Sequence, residues 1–155
     1  MTDAVKSESL IDLMVRIEES AGAFYTLCAA KFPKNSGLWM SLAAAEEQHA
    51  RYLREIAAHP TESVAFSARR RVAAAPLKAL LDSLKRSYAL VETTPVTQAQ
   101  ALTMARDFEY SATEKKILDP VAGDPPEVVQ TIRRLNSETT NHRVLIESAL
   151  AALKA

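Results

Sequence analysis

"SGLWMSLAAAEEQHARYLREIAA", residues 36–58, decides how the rest of the chain is read. Trp39, Leu42, Glu46, His49, Leu53 and Ile56 recur at alternating spacings of three and four, so all lie on one stripe of a helix. Most of that stripe is apolar, as an inward face requires. Glu46 and His49, one turn apart, are not, and glutamate is almost never fully buried without a partner. The helix follows the break at "FPKNSG" and ends before Pro60.

Outward from this stretch the whole chain reads as helical. It has few β-branched runs, abundant alanine and three glycines in 155 residues, enough length for one domain with a sizeable core. A first long helix is predicted over 9–31, capped by Ser7 or Ser9 and broken by "FPKNSG". The second covers 36–58. Thr61 to Pro76 reads as less regular, and "PLKALLDSLKRSYALVE" as a shorter amphipathic helix. Pro95 suits the first turn of a third long helix, 95–118. "DPVAGDPP" is a loop, and Pro126 opens a fourth helix, 126–153. Short loops join the first to the second and the third to the fourth, so each pair should form an antiparallel hairpin. The middle connection, 60–94, is far longer. Two hairpins joined by one long crossover is the ferritin-like arrangement of a four-helix bundle. An up-down bundle with a decorated loop is the alternative. The expected architecture is therefore all-α, a single domain over 1–155.

The other predicted helices carry similar stripes. They are Ile11, Met14, Glu18, Ala21, Tyr25 and Cys28 in the first, and Leu102, Ala105, Glu109, Ala112 and Lys116 in the third. In the fourth the stripe is Val128, Thr131, Leu135, Glu138, His142, Leu145 and Ala149. Each long helix thus places a glutamate at an inward position. A lone carboxylate in a dry core costs several kcal/mol, and four converging ones would cost more unless protons or cations neutralised them. Two divalent ions would do so, and carboxylate oxygen with imidazole nitrogen suits iron or manganese. The competing reading turns some of these glutamates outward or pairs them with Arg and Lys across the bundle. A short internal echo, "EESA" at 18–21 against "EYSA" at 109–112, relates the first and third helices.

Glu18 followed by Phe24-Tyr25, then "AAAEEQHARYL", resembles the helical domain of rubrerythrins and related ferritin-like di-iron carboxylate proteins. The resemblance runs through helix order, crossover and glutamate positions. It implies that Glu18 and Glu109 are terminal ligands, that Glu46 and Glu138 bridge two irons, and that His49 completes one of them. Two features depart from the family. A Glu-x-x-His motif in the fourth helix would need His at 141, where Asn141 stands and His142 follows; His142, four residues after Glu138, is the expected replacement. Rubrerythrins also carry a rubredoxin domain with four cysteine ligands, whereas this chain has only Cys28.

The resemblance implies a rubrerythrin-like non-haem di-iron protein, two Fe per chain, that oxidises ferrous iron with peroxide or dioxygen. The expected ligands are Glu18, Glu46, His49, Glu109, Glu138 and His142, and any redox cycle would need an external electron donor. Manganese or zinc are alternative metals. The rival function is a ferritin-like scaffold with a degenerate or single-metal site, acting as a structural or binding protein. Composition adds exclusions. Lys and Arg total 19 against 19 Asp and Glu, so no net field favours nucleic acid or an anionic membrane. No run approaches the roughly 20 apolar residues that span a bilayer. "MTDAVKSES" lacks the pattern of a secretory signal, and a cytoplasmic location is expected. "LLDSLKRSYALV" is a candidate surface for a homodimer, and "RRR" at 69–71 reads as a solvated stretch.

Overall fold

Ser9 starts the first helix: its hydroxyl oxygen accepts from the backbone N–H of Asp12 at 3.2 Å, satisfying one of the four donors a helix start leaves free. The computed structural model describes residues 8–114 and 119–154, in which all regular structure is helical. Six helices follow in order: α1 (Leu10–Lys31), α2 (Ser36–Ala57), α3 (Pro60–Arg69), α4 (Ala74–Thr93), α5 (Gln98–Glu114) and α6 (Pro126–Leu153). Single 3₁₀ turns at 33–35 and 71–73 link α1 to α2 and α3 to α4. Among the described residues no helix is long and apolar enough to cross a membrane.

α1 packs along both α2 and α4, and α5 packs along α6. α2 meets α6 and α4 meets α5, so the two hairpins and the crossover enclose one core. Near the α1–α2 turn an aromatic group of Phe24, Tyr25, Phe32 and Trp39 fills this core, with neighbouring ring centroids 5.8–6.5 Å apart.

The crossover is more regular than its sequence suggests. Pro60 occupies the first turn of α3, where its missing N–H leaves no donor unsatisfied, and within the stretch expected to be irregular the α-helix breaks only at 70–73. The Ser67 hydroxyl accepts from the N–H of Leu10 at 3.1 Å, and Phe66 is fully buried, so α3 is tied to the start of α1. α4 runs from Ala74 to Thr93 rather than over a shorter span. Its Leu80, Leu81, Leu84 and Val91 are buried, which leaves Leu90 as the exposed large apolar side chain of the segment read as a dimer surface.

α5 begins at Gln98, later than Pro95. Thr97 and Gln100 form a reciprocal capping box: the Thr97 N–H donates to the Gln100 side chain at 2.8 Å, and the Gln100 N–H donates to the Thr97 hydroxyl at 3.1 Å. Pro95 lies in the extended approach to this cap. Residues 115–118, expected to complete the third long helix with Lys116 on its inner stripe, lie outside the described residues.

Two of the three consecutive arginines are not solvated. The Asp124 side chain is completely buried and accepts from Arg69 Nε at 2.8 Å, from both terminal nitrogens of Arg70, and from the N–H of Val121 at 2.9 Å. Arg70 is itself buried, with its guanidinium 3.9 Å from the Phe66 ring centroid. Gly123 turns the chain beside this pair with φ +94°, a left-handed conformation that side chains disfavour; an added Cβ would also press on Arg69 Cδ at 3.3 Å. The charge cluster clamps the loop before α6 onto the end of α3.

The frame of α6 differs by one residue from its expected stripe. Val128, Ile132, Leu135, Thr139, His142, Ile146 and Leu150 are buried, whereas the sequence reading placed Thr131, Glu138, Leu145 and Ala149 inward. Leu145 is 46% exposed and Ile146 fully buried. The heptad rhythm that passes through Leu135 and His142 admits 139 between them and turns 138 toward the side.

Candidate metal centre

Four helices bring polar groups to one level of the core. α1 contributes Glu18, α2 Glu46 and His49, α5 Glu109, and α6 His142; all are buried. Glu18 stands among Met14, Ile17, Ala21 and Tyr25, and Glu46 among Leu42, Ala43, Ala50 and Leu53, all of them buried. Both carboxylates are carried into the core because their helices present an otherwise apolar face there.

The decisive geometry belongs to Glu46. Its Oε2 lies 3.2 Å from His49 Nδ1, which in turn is 3.7 Å from Glu18 Oε2. Its Oε1 lies 3.2 Å from His142 Nδ1, which is 3.4 Å from Glu109 Oε1. Two groups of donors result, Glu18–Glu46–His49 and Glu46–Glu109–His142, each offering atoms within 4.8 Å of one another. The two imidazoles lie nearly parallel, with centroids 5.6 Å apart and planes 21° from each other. Tyr25 donates its hydroxyl to Glu109 Oε1 at 2.5 Å and so fixes the orientation of that carboxylate.

Glu138 stands apart from both groups. Its carboxylate is 33% exposed and meets the opposite ring nitrogen of His49, Nε2, at 2.6 Å, while Arg134 donates to its other oxygen at 3.2 Å. The core position of α6 at this level is filled by Thr139. Of the six ligands expected from the sequence, five converge, and Glu138 instead holds one of them from outside. Thr139 escaped the sequence reading, although its spacing from Leu135 and His142 was the available signal. Tyr110, beside Glu109 in α5, lies under Arg143, whose guanidinium is 3.6 Å from its ring.

Electrostatics describe a centre neutralised by protons. Burial, and then the charge of Glu46, push the Glu18 carboxyl well above the ordinary carboxylate range. Burial lowers His49, but the Glu18 and Glu46 carboxylates outweigh it and carry the imidazole to about 11. His142 is likewise disfavoured by burial and raised to about 9 by Glu109 and Glu46. Burial would raise Glu46 too, yet hydrogen bonds from Glu18, His142 and His49 hold it below its usual value against the charge of Glu109.

The donor set fits divalent metal. His142 Nδ1 is buried and faces two carboxylate oxygens, Glu46 Oε1 at 3.2 Å and Glu109 Oε1 at 3.4 Å, so the three could share one ion. Oxygen-rich sites with one imidazole per ion suit iron or manganese, and do not exclude zinc.

A small cavity of about 20 Å³ adjoins the carboxylates. Its lining combines the polar Glu18, Glu46, Glu109 and Thr139 with apolar side chains that include Leu77, Leu80 and Phe108. Leu77 and Leu80 come from the crossover helix α4, which therefore roofs the centre. Nothing in their sequence pattern marks this role, since any amphipathic helix buries such leucines. Compared with family models, with curated proteins and with solved structures, the chain finds no match.

Proposed function

We propose that the chain is a ferritin-like four-helix bundle of the rubrerythrin type, formed by α1, α2, α5 and α6, that holds two divalent metal ions, iron foremost. The observation that carries this reading is Glu46, whose two oxygens face two different donor groups. Glu18 and His49 complete the first position, Glu109 and His142 the second. When bound, iron would supply the electrons for reduction of dioxygen or peroxide. The chain's own residues do the rest. Glu46 joins the two positions, Tyr25 orients Glu109, and Glu138 fixes His49 through Nε2. Leu77, Leu80 and Phe108 give the cavity beside the centre apolar lining. The cavity has room for roughly one or two water-sized groups, which suits a small oxidant and not an organic substrate. An external donor is required for turnover, because the one cysteine, Cys28, is buried and its thiol is pushed up to about 12 by burial.

Thr139 favours a second reading. It occupies the place from which a second Glu-x-x-His would supply a carboxylate, three residues before His142, so a single-metal or metal-free scaffold is the alternative. Metal content after anaerobic ferrous loading and desalting separates them. Two ions per chain in the parent, none in Glu46→Ala and one in Glu18→Ala is the expected pattern. One ion in the parent supports the single-metal reading, and none, in folded protein, the scaffold.

A further inference from the structure

Between α4 and α5 the surface is indented by a groove of about 130 Å³. Exposed or half-exposed Ser83, Ser87 and Ser111 line it together with buried Leu80 and Phe108. Ser83 and Ser87 follow Leu80 by one and two turns, and Ser111 follows Phe108 by one turn. Positions that face the seam thus carry short side chains, which leave it open where larger ones would close it. Leu80 and Phe108 also line the cavity of about 20 Å³ beside Glu18, Glu46 and Glu109, and they are the two residues that groove and cavity share. Phe108, 9% exposed, stands at the edge of the core and immediately precedes Glu109.

We infer that the α4–α5 seam is the route by which small uncharged molecules, dioxygen or hydrogen peroxide among them, reach the centre, and that Phe108, with Leu80, determines access at its inner end. The inference rests on the metal-binding reading above. The two shared side chains are apolar, so a molecule crossing between groove and cavity meets hydrocarbon and ring alone. An ion taking this path would shed its water with no partner in return, a large cost that a neutral molecule does not meet. A second groove, between α1 and α2, has the opposite chemistry: Glu18 belongs to its lining, beside Glu19 and Glu47. Cations can therefore meet a carboxylate of the centre from that side without passing Phe108. Side-chain rotation at an edge position is fast, so the Phe108 ring can yield to a small molecule without any movement of α4.

The test uses nitric oxide, a small uncharged molecule whose binding to ferrous iron is read in the visible spectrum without turnover. Iron content is measured first on each anaerobically loaded protein, and the association with nitric oxide is then followed by stopped flow. Phe108→Ala and the milder Phe108→Leu should bind nitric oxide severalfold faster than the parent at the same iron content. Ser83→Phe, which fills the groove one turn from Leu80, should bind it severalfold more slowly. Ala44→Phe, which fills the α1–α2 groove instead, should leave that rate unchanged. Cobalt(II) uptake by metal-free protein should proceed at the same rate in the parent and in Phe108→Leu. Equal nitric oxide rates in the parent, folded Phe108→Leu and Ser83→Phe would overturn the inference, as would slowing by Ala44→Phe alone. Cobalt uptake that quickens as much as nitric oxide binding would overturn the restriction to uncharged molecules. Iron absent from a folded parent would overturn the metal-binding reading and the route with it, and the iron assay reveals that before any rate is measured.

Discussion

Glu138→Gln distinguishes a carboxylate that binds metal from one that steadies a metal-binding histidine. The sequence resemblance makes Glu138 a bridging ligand, whereas its carboxylate lies 2.6 Å from His49 Nε2, on the side of the ring away from Glu18 and Glu46. A partner of this kind fixes the ring's tautomer and raises its basicity. Its loss typically weakens metal affinity by about 10–100-fold, which is about 1.4–2.8 kcal/mol. Glutamine keeps an acceptor for Nε2–H and removes only the charge, so the lower half of that range is expected. The metal-free protein should change by less than about 1 kcal/mol, since the Glu138 carboxylate is one-third exposed and screened by solvent. Competition against a chromophoric chelator, with cobalt(II) or iron(II) under anaerobic conditions, reads stoichiometry and affinity together. Two ions per chain should remain, with one bound more weakly. A fall to one ion or none would place Glu138 among the ligands and refute the geometry; unchanged affinity would refute the supporting role.

Three other perturbations test separate parts of the structure. In α6, Ile146→Ala should lower unfolding free energy by about 2–5 kcal/mol and Leu145→Ala by less than about 0.5 kcal/mol, measured by urea titration; the reverse order would restore the other frame. Asp124→Asn should destabilise the fold by about 3–5 kcal/mol, because it leaves Arg70 buried without its counter-charge. Burial alone would raise the Asp124 carboxyl, but Arg70, the N–H of Val121 and Arg69 hold it below its usual 3.8. Its stabilisation is therefore fully present above pH about 4 and lost as pH falls through the lower folded value, an acid-side slope that Asp124→Asn should flatten. Finally, replacing Glu18, Glu46, His49, Glu109 and His142 together by leucine or methionine should abolish metal uptake and leave stability in EDTA unchanged or raised by about 1–4 kcal/mol. A large loss of stability would mean that the cluster exists to hold the bundle together.

The centre's residues were visible in sequence where one helix settled its own frame. In α2 the apolar positions on both sides of Glu46 and His49 admit a single stripe, and in α1 Glu18 sits in a run with only one inward face. α6 offers two stripes of nearly equal quality, because Val144, Leu145 and Ile146 are all apolar and Thr131 and Ile132 are adjacent. Taking Glu138 as inward tipped that choice, and only contact with the other helices resolves it. α3 was hidden for a different reason. Its turn-prone composition and single buried side chain, Phe66, give little periodic signal, and it is held by Asp124 from a loop 54 residues away. The roof formed by Leu77 and Leu80 was equally invisible, since the pattern of α4 shows that its leucines are buried but not what they cover.

What the core accepts at this level argues about purpose. Five ionisable groups occupy positions where leucine or methionine would pack without a desolvation penalty. Only protons on Glu18, His49 and His142 keep the metal-free cluster from carrying uncompensated charge, and Glu46 retains its charge between the two imidazoles. Such an arrangement is poor value as a structural device, since every element it joins is already joined by apolar contacts. It becomes intelligible when the protons can be exchanged for cations. On the dinuclear reading proposed above, α4, whose Leu77 and Leu80 line the cavity beside the carboxylates, would limit what reaches bound metal. The roof and the polar cluster are therefore two parts of one arrangement, and opening the roof with Leu80→Ala should affect what reaches the metals before it affects how many are bound.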